Sequence, residues 1–79
     1  MRSFYLLTKD NCPLCIQAIQ IIHLTELEEP IELGVVDIAT DADLLEEYAT
    51  LVPVLIRGSD EQELKWPFQA EKLKEFLQS

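Results

Sequence analysis

The sequence predicts an α/β fold: a four-stranded mixed sheet with helices on both faces, in the order β-α-β-α-β-β-α. Three observations carry that expectation. Strand-like runs alternate with stretches of helical periodicity through most of the chain. The last two strand-like runs are separated by a short turn, which suits an antiparallel hairpin. The final stretch then returns to a helical period. The 79 residues contain no linker, internal repeat or low-complexity segment, so one domain over 1–79 is expected.

Ser3 to Thr8 reads as a strand buried on both faces, because its centre, Phe4-Tyr5-Leu6-Leu7, does not alternate. Lys9-Asp10-Asn11 is a polar loop, and either Asn11 or Cys12 can cap the helix after it. From Pro13 the pattern is helical. Cys15, Ala18, Ile19 and Ile22 share one face, and Ile16 and Ile21 widen it. Pro30 places the end of this helix near Leu27 to Glu29.

Ile31 to Ile38 reads as a second strand, with Gly34 marking a bulge or a close approach. The right-handed crossover rule makes it parallel to the first. Thr40-Asp41-Ala42-Asp43 opens a short helix to about Ala49, burying Leu44, Leu45 and Tyr48. Val54 to Ile56 is a third strand, Gly58-Ser59-Asp60 a turn, and Glu63 to Trp66 a fourth strand. The last helix places Ala70, Leu73, Phe76 and Leu77 inside.

The only two cysteines, Cys12 and Cys15, sit where the first strand gives way to the first helix. That spacing lets the sulfurs meet across one helical turn. It also puts Cys12 at a helix N-terminus, where unpaired N–H groups and the macrodipole favour an anion. The thiolate is such an anion and is the reactive form of cysteine. Pro13 loses nothing at the first helical position.

Composition narrows the choices. Fifteen acidic against six basic residues give a formal charge of −9, with no basic cluster to neutralise phosphates, so no nucleic-acid partner is expected. No apolar run is long enough to span a membrane, and no targeting segment precedes the first strand. A loop closed by cysteines this near one another is too small to staple the fold. A soluble cytoplasmic monomer in a reducing compartment is expected.

The element order, with Cys-x-x-Cys at the start of the first helix, resembles the thioredoxin fold. Cys12-Pro13-Leu14-Cys15 is similar to the Cys-Pro-Tyr-Cys of glutaredoxins, and the resemblance covers nearly the whole chain. It implies that Lys9 helps hold glutathione. It also implies that Val52-Pro53 is the pair whose proline is cis and faces the active-site sulfur, with the Val52 backbone pairing with a thiol substrate. Two positions depart from the family pattern. Trp66-Pro67-Phe68-Gln69 replaces a Gly-Gly-acid stretch that contacts glutathione, and Leu51 replaces the threonine before Val-Pro. The Trp-Pro-Phe stretch is similar to that of a short bacterial glutaredoxin-like branch.

The expected activity is that of a thiol–disulfide oxidoreductase in cell redox homeostasis, with Cys12 attacking and Cys15 resolving. Lys9 lowers the Cys12 pKa and Asp10 opposes it. Arg57 ends the third strand, too far away to help. No bound cofactor is needed, and glutathione is a co-substrate by resemblance. The expected partners are a disulfide-bearing protein or glutathione mixed disulfide and a thiol reductant. Trp66 and Phe68 pack in the core and its rim, or form an apolar wall on the substrate side. A non-catalytic binding module is the alternative reading of the same fold. A metal or iron–sulfur site is a further one, but with no more cysteines and only His23 it requires two chains.

Overall fold

The computed structural model describes residues 2–78. Its elements are β1 (Arg2–Thr8), α1 (Pro13–Leu24), β2 (Ile31–Asp37), a 3-10 turn (Ile38–Thr40), α2 (Ala42–Tyr48), β3 (Val54–Arg57), β4 (Glu63–Lys65) and α3 (Ala70–Gln78). The four strands form one sheet in the order β2-β1-β3-β4. β1 and β2 are parallel, as a helical crossover requires, whereas β3 is antiparallel to both β1 and β4.

Strand alternation divides the core in two. Phe4, Leu6 and Leu55 face one side, where they meet Ala18 and Ile22 of α1 and Leu73 and Leu77 of α3. Leu7 and Val54 face the other side and pack with Ile38, Tyr48 and Val52. Cys15, in the first turn of α1, belongs to this second cluster. α1 therefore serves both clusters, its first turn this one and its later turns the other. Arg57 fixes the hairpin to α3: it forks Asp60 with two 2.9 Å bonds and stacks 4.9 Å above the Phe76 ring.

Several expectations are corrected. α1 stops at Leu24, because the Thr25 hydroxyl bonds the Ile21 carbonyl at 2.8 Å and its N–H turns back to Ile22. β2 stops at Asp37, whose carboxylate accepts the Ala39 N–H and starts the 3-10 turn. Within the expected Thr40–Asp43 helix start, Asp41 is the residue that caps α2, accepting the N–H groups of Asp43 and Leu44. Leu45, Ile16 and Ala70 are exposed, since among the described residues no further element covers those helix faces. β1 is not buried on both faces throughout, because Tyr5 is 46% exposed. Gly34 makes no bulge: the Tyr5–Gly34 register is unbroken, and a Cβ there would meet the Tyr5 ring at 3.2 Å. The close approach is its role.

Candidate active site

Two features of the local sequence place Cys12. Asn11 adopts a left-handed backbone (φ 56°), which asparagine tolerates better than most residues, and so turns the chain out of β1. Cys12 is then extended (φ −115°, ψ 93°) and serves as the N-cap of α1, with Pro13 following at the first helical position.

The Cys12 sulfur accepts the Cys15 N–H at 3.2 Å, and the Cys12 carbonyl accepts the N–H groups of Cys15 and Ile16. A sulfur held this way takes the place of a Ser or Asp cap oxygen, and its acceptor strength rises when it ionises. Cys12 and Cys15 are joined as a disulfide, with Cα atoms 5.3 Å apart. They differ in access: Cys12 is half-buried, whereas Cys15 is only 3% exposed.

An open groove of about 310 Å³ runs past the pair, lined also by Lys9, Asp10 and Ile16. Lys9 is thus beside the cysteines, but its ammonium donates to the Ala49 carbonyl at 2.9 Å and ties the β1–α1 loop to the end of α2. Asp10 lines the same groove and offsets that charge.

Val52-Pro53 is a cis peptide bond, as the resemblance implies. Val52 packs in the cluster of Cys15, with Cys12 against it, and Pro53 is fully buried. The Val52 N–H is bonded within the chain, to the Tyr48 carbonyl at 3.2 Å. The donor half of any backbone pairing at Val52 is therefore engaged. The Trp66 backbone N–H donates to the Pro53 carbonyl at 3.3 Å. Phe68 is 8% exposed and belongs to the cluster on the α1–α3 side. Trp66 packs edge-on against it at 5.2 Å on that same side, and neither ring lines the groove at the cysteines.

Arg57 is committed to Asp60 and Phe76, away from the cysteines. The guanidinium holds the Asp60 carboxyl below its ordinary range. His23 is exposed in the last turn of α1. Among the described residues, no three His, Cys, Asp or Glu side chains are gathered as a metal would require.

Sequence reasoning missed one polar contact beneath the site. The Tyr48 hydroxyl donates to Glu63 Oε2 at 2.6 Å, and this bond, with burial second, pushes the phenol up to about 12. A buried tyrosine hydroxyl needs a partner, which is the signal that was available. That the partner stands on β4 is a tertiary fact. Residue types alone also gave no sign of the Trp66–Pro67 cis bond in the β4–α3 link.

Comparison with known proteins agrees with this geometry. The glutaredoxin-like domain family (DUF836) matches residues 3–78. An X-ray structure of the structural-genomics target protein XcR50 from X. campestris is 34% identical, with a TM-score of 0.78 over 94% of this chain and 93% of that one. A solution structure of XcR50 gives 34% identity and a TM-score of 0.76, covering 98% of this chain and 92% of that one. No curated protein matches the chain. The match over nearly all its residues and the cysteine pair at the start of α1 lead to one assignment: the chain belongs to the glutaredoxin-like domain family, with a thioredoxin-like fold.

Proposed function

We propose that the protein is a thiol–disulfide oxidoreductase that uses Cys12 and Cys15. The observation that carries this reading is the unequal pair at one helix start. A half-buried sulfur sits as N-cap beside a groove, and a nearly inaccessible one lies one turn inside. The helix N-terminus favours the Cys12 thiolate.

The exchange balances in two steps. Cys12 Sγ⁻ attacks one sulfur of a substrate disulfide. A Cys12–substrate bond forms, the substrate S–S bond breaks, and the first thiolate leaves and takes up a proton. Cys15 then loses its proton and attacks Cys12 Sγ. The internal disulfide forms and the second substrate thiolate leaves. Two electrons have passed from the dithiol to the substrate. A thiol reductant returns them by the reverse exchange.

Substrates of this chemistry are disulfide-bearing proteins and glutathione mixed disulfides, with glutathione itself as a co-substrate and the reducing cytoplasm as the setting. No prosthetic group is required. Exposed Leu14 and Ile16, at 43% and 59%, give the rim an apolar character that suits a protein substrate. Equilibration in graded glutathione redox buffers, acid-quenched and read by intact mass, tests the reading. Interconversion of dithiol and internal disulfide within the series supports it. Thiols that stay reduced and unmodified throughout overturn it.

A further inference from the structure

α2 is only seven residues long and covers one end of its sheet face. Beyond it lies an open hollow of about 420 Å³ lined by neither cysteine. Its floor is Tyr5, Ile56 and Leu7, its wall against α2 is Tyr48, and its outer rim is Glu61 and Glu63.

The chain's only two glycines both serve Tyr5. A Cβ at Gly34 would stand 3.2 Å from one edge of the ring; at Gly58 it would stand 3.4 Å from the other edge and 2.9 Å from the Ser3 carbonyl. Neither glycine has a positive φ, so space rather than backbone freedom is what they supply. The ring settles between two positions that lack side chains and remains 46% exposed.

The charge around this aromatic floor has one sign. Glu61 and Glu63 stand on the β4 side, and Glu32, bonded by the Ser3 hydroxyl at 3.2 Å, flanks it on β2. Glu63 holds the Tyr48 hydroxyl, and a carboxylate retains further acceptor sites. Among the described residues, no Lys or Arg lines the hollow. Lys65 shares the face by register but stands opposite Val54, nearer α2, and Arg57 is turned to Asp60 and Phe76. An aromatic floor with a carboxylate rim complements a flat cation that stacks and forks hydrogen bonds at once, and a guanidinium does both.

The geometry points to this hollow as a docking site for an arginine side chain of a partner protein, stacked on Tyr5 and held by Glu61 and Glu63. It gives the −9 surface a defined contact point for a basic partner. It does not depend on the exchange chemistry.

The test is an amide NMR titration with the capped tripeptide Ac-Gly-Arg-Gly-NH2 and its citrulline counterpart, which keeps the shape and loses the charge. Saturable shifts centred on Tyr5, Gly58, Glu61 and Glu63, at least about fivefold weaker with citrulline, are expected. Glu61→Gln, an exposed change that leaves the core untouched, should weaken arginine binding about two- to fivefold. Tyr5→Leu should weaken it further, in a protein whose spectrum stays dispersed. Equal response to both peptides, shifts spread over all acidic surfaces, or no change in Glu61→Gln would overturn the proposal. Ethylammonium binding as tightly as the arginine peptide would overturn it too, by showing that a point charge suffices.

Discussion

Replacing Tyr48 by phenylalanine removes one oxygen and leaves the ring in place. That oxygen donates to Glu63 at 2.6 Å, and Tyr48 is 7% exposed, packed with Cys15 and Val52. Two routes give the magnitude. A hydrogen bond to a charged group contributes about 1.5–3 kcal/mol. A phenol moved from 10.0 to about 12 corresponds, at about 1.4 kcal/mol per tenfold, to at most about 2–3 kcal/mol. The Glu63 side is exposed, so solvent screens the pair and the lower part of both ranges applies. Tyr48→Phe should therefore cost about 1–2 kcal/mol at neutral pH, or roughly 4–16 °C in Tm for a domain of this size. The sign with pH comes from the raised value. Unfolded tyrosine ionises near 10 while the folded group holds its proton to about 12, so the contribution is full below pH 10 and is lost between about 10 and 12. Urea denaturation of both proteins at pH 7 and again near pH 11.5 should show a gap that narrows on the alkaline side. A variant as stable as the parent at pH 7, or a gap of constant size, would refute the reasoning.

Other consequences rest on single contacts. Gly58→Ala places a Cβ 2.9 Å from the Ser3 backbone oxygen and should destabilise by about 1–3 kcal/mol in urea denaturation, more than Gly34→Ala, where only the Tyr5 ring must give. Leu73→Ala, at a fully buried α3 position, should cost about 2–5 kcal/mol, measured the same way. Lys9→Met should loosen the tie to Ala49, read as faster amide exchange in the 49–52 segment, with a stability loss below about 1 kcal/mol. In Cys15→Ser, the alkylation rate of Cys12 against pH should have its midpoint below about 8.5, the value of a free thiol.

The parts of the fold set by local chemistry are legible in the sequence. Strand composition and the Leu73–Phe76–Leu77 face come from residue type and spacing, and the structure agrees with them, whereas spacing leaves the cap of α1 open between Asn11 and Cys12 and the structure gives it to Cys12. The α1 terminus is less legible: Pro30 is a stop signal, but a hydroxyl at Thr25 ends the helix one turn earlier. Helical position puts Leu45 and Ile16 on apolar faces, yet burial depends on whether another element arrives, and among the described residues none does. In the site, the cysteine pair is legible from spacing. What Lys9 and Tyr48 bond is not, because Ala49 lies 40 residues from Lys9 and Glu63 lies 15 from Tyr48. Phe68 and Trp66 are neighbours across one proline, yet Phe68 is given to the core and Trp66 to its edge. Only the course of the β4–α3 link decides that.

The most direct measurement is a single-turnover reaction of the reduced protein and its Cys12→Ser and Cys15→Ser variants with a small mixed disulfide, followed by quenched intact mass. The proposed chemistry predicts that the parent ends as an internal disulfide with product released. Cys15→Ser should stop at an adduct on Cys12. Cys12→Ser should react at least about a hundredfold more slowly, because its remaining thiol is 3% exposed and lies inside the helix. Equal rates for the two variants, or an adduct accumulating on Cys15, would contradict the assignment of attacking and resolving sulfurs.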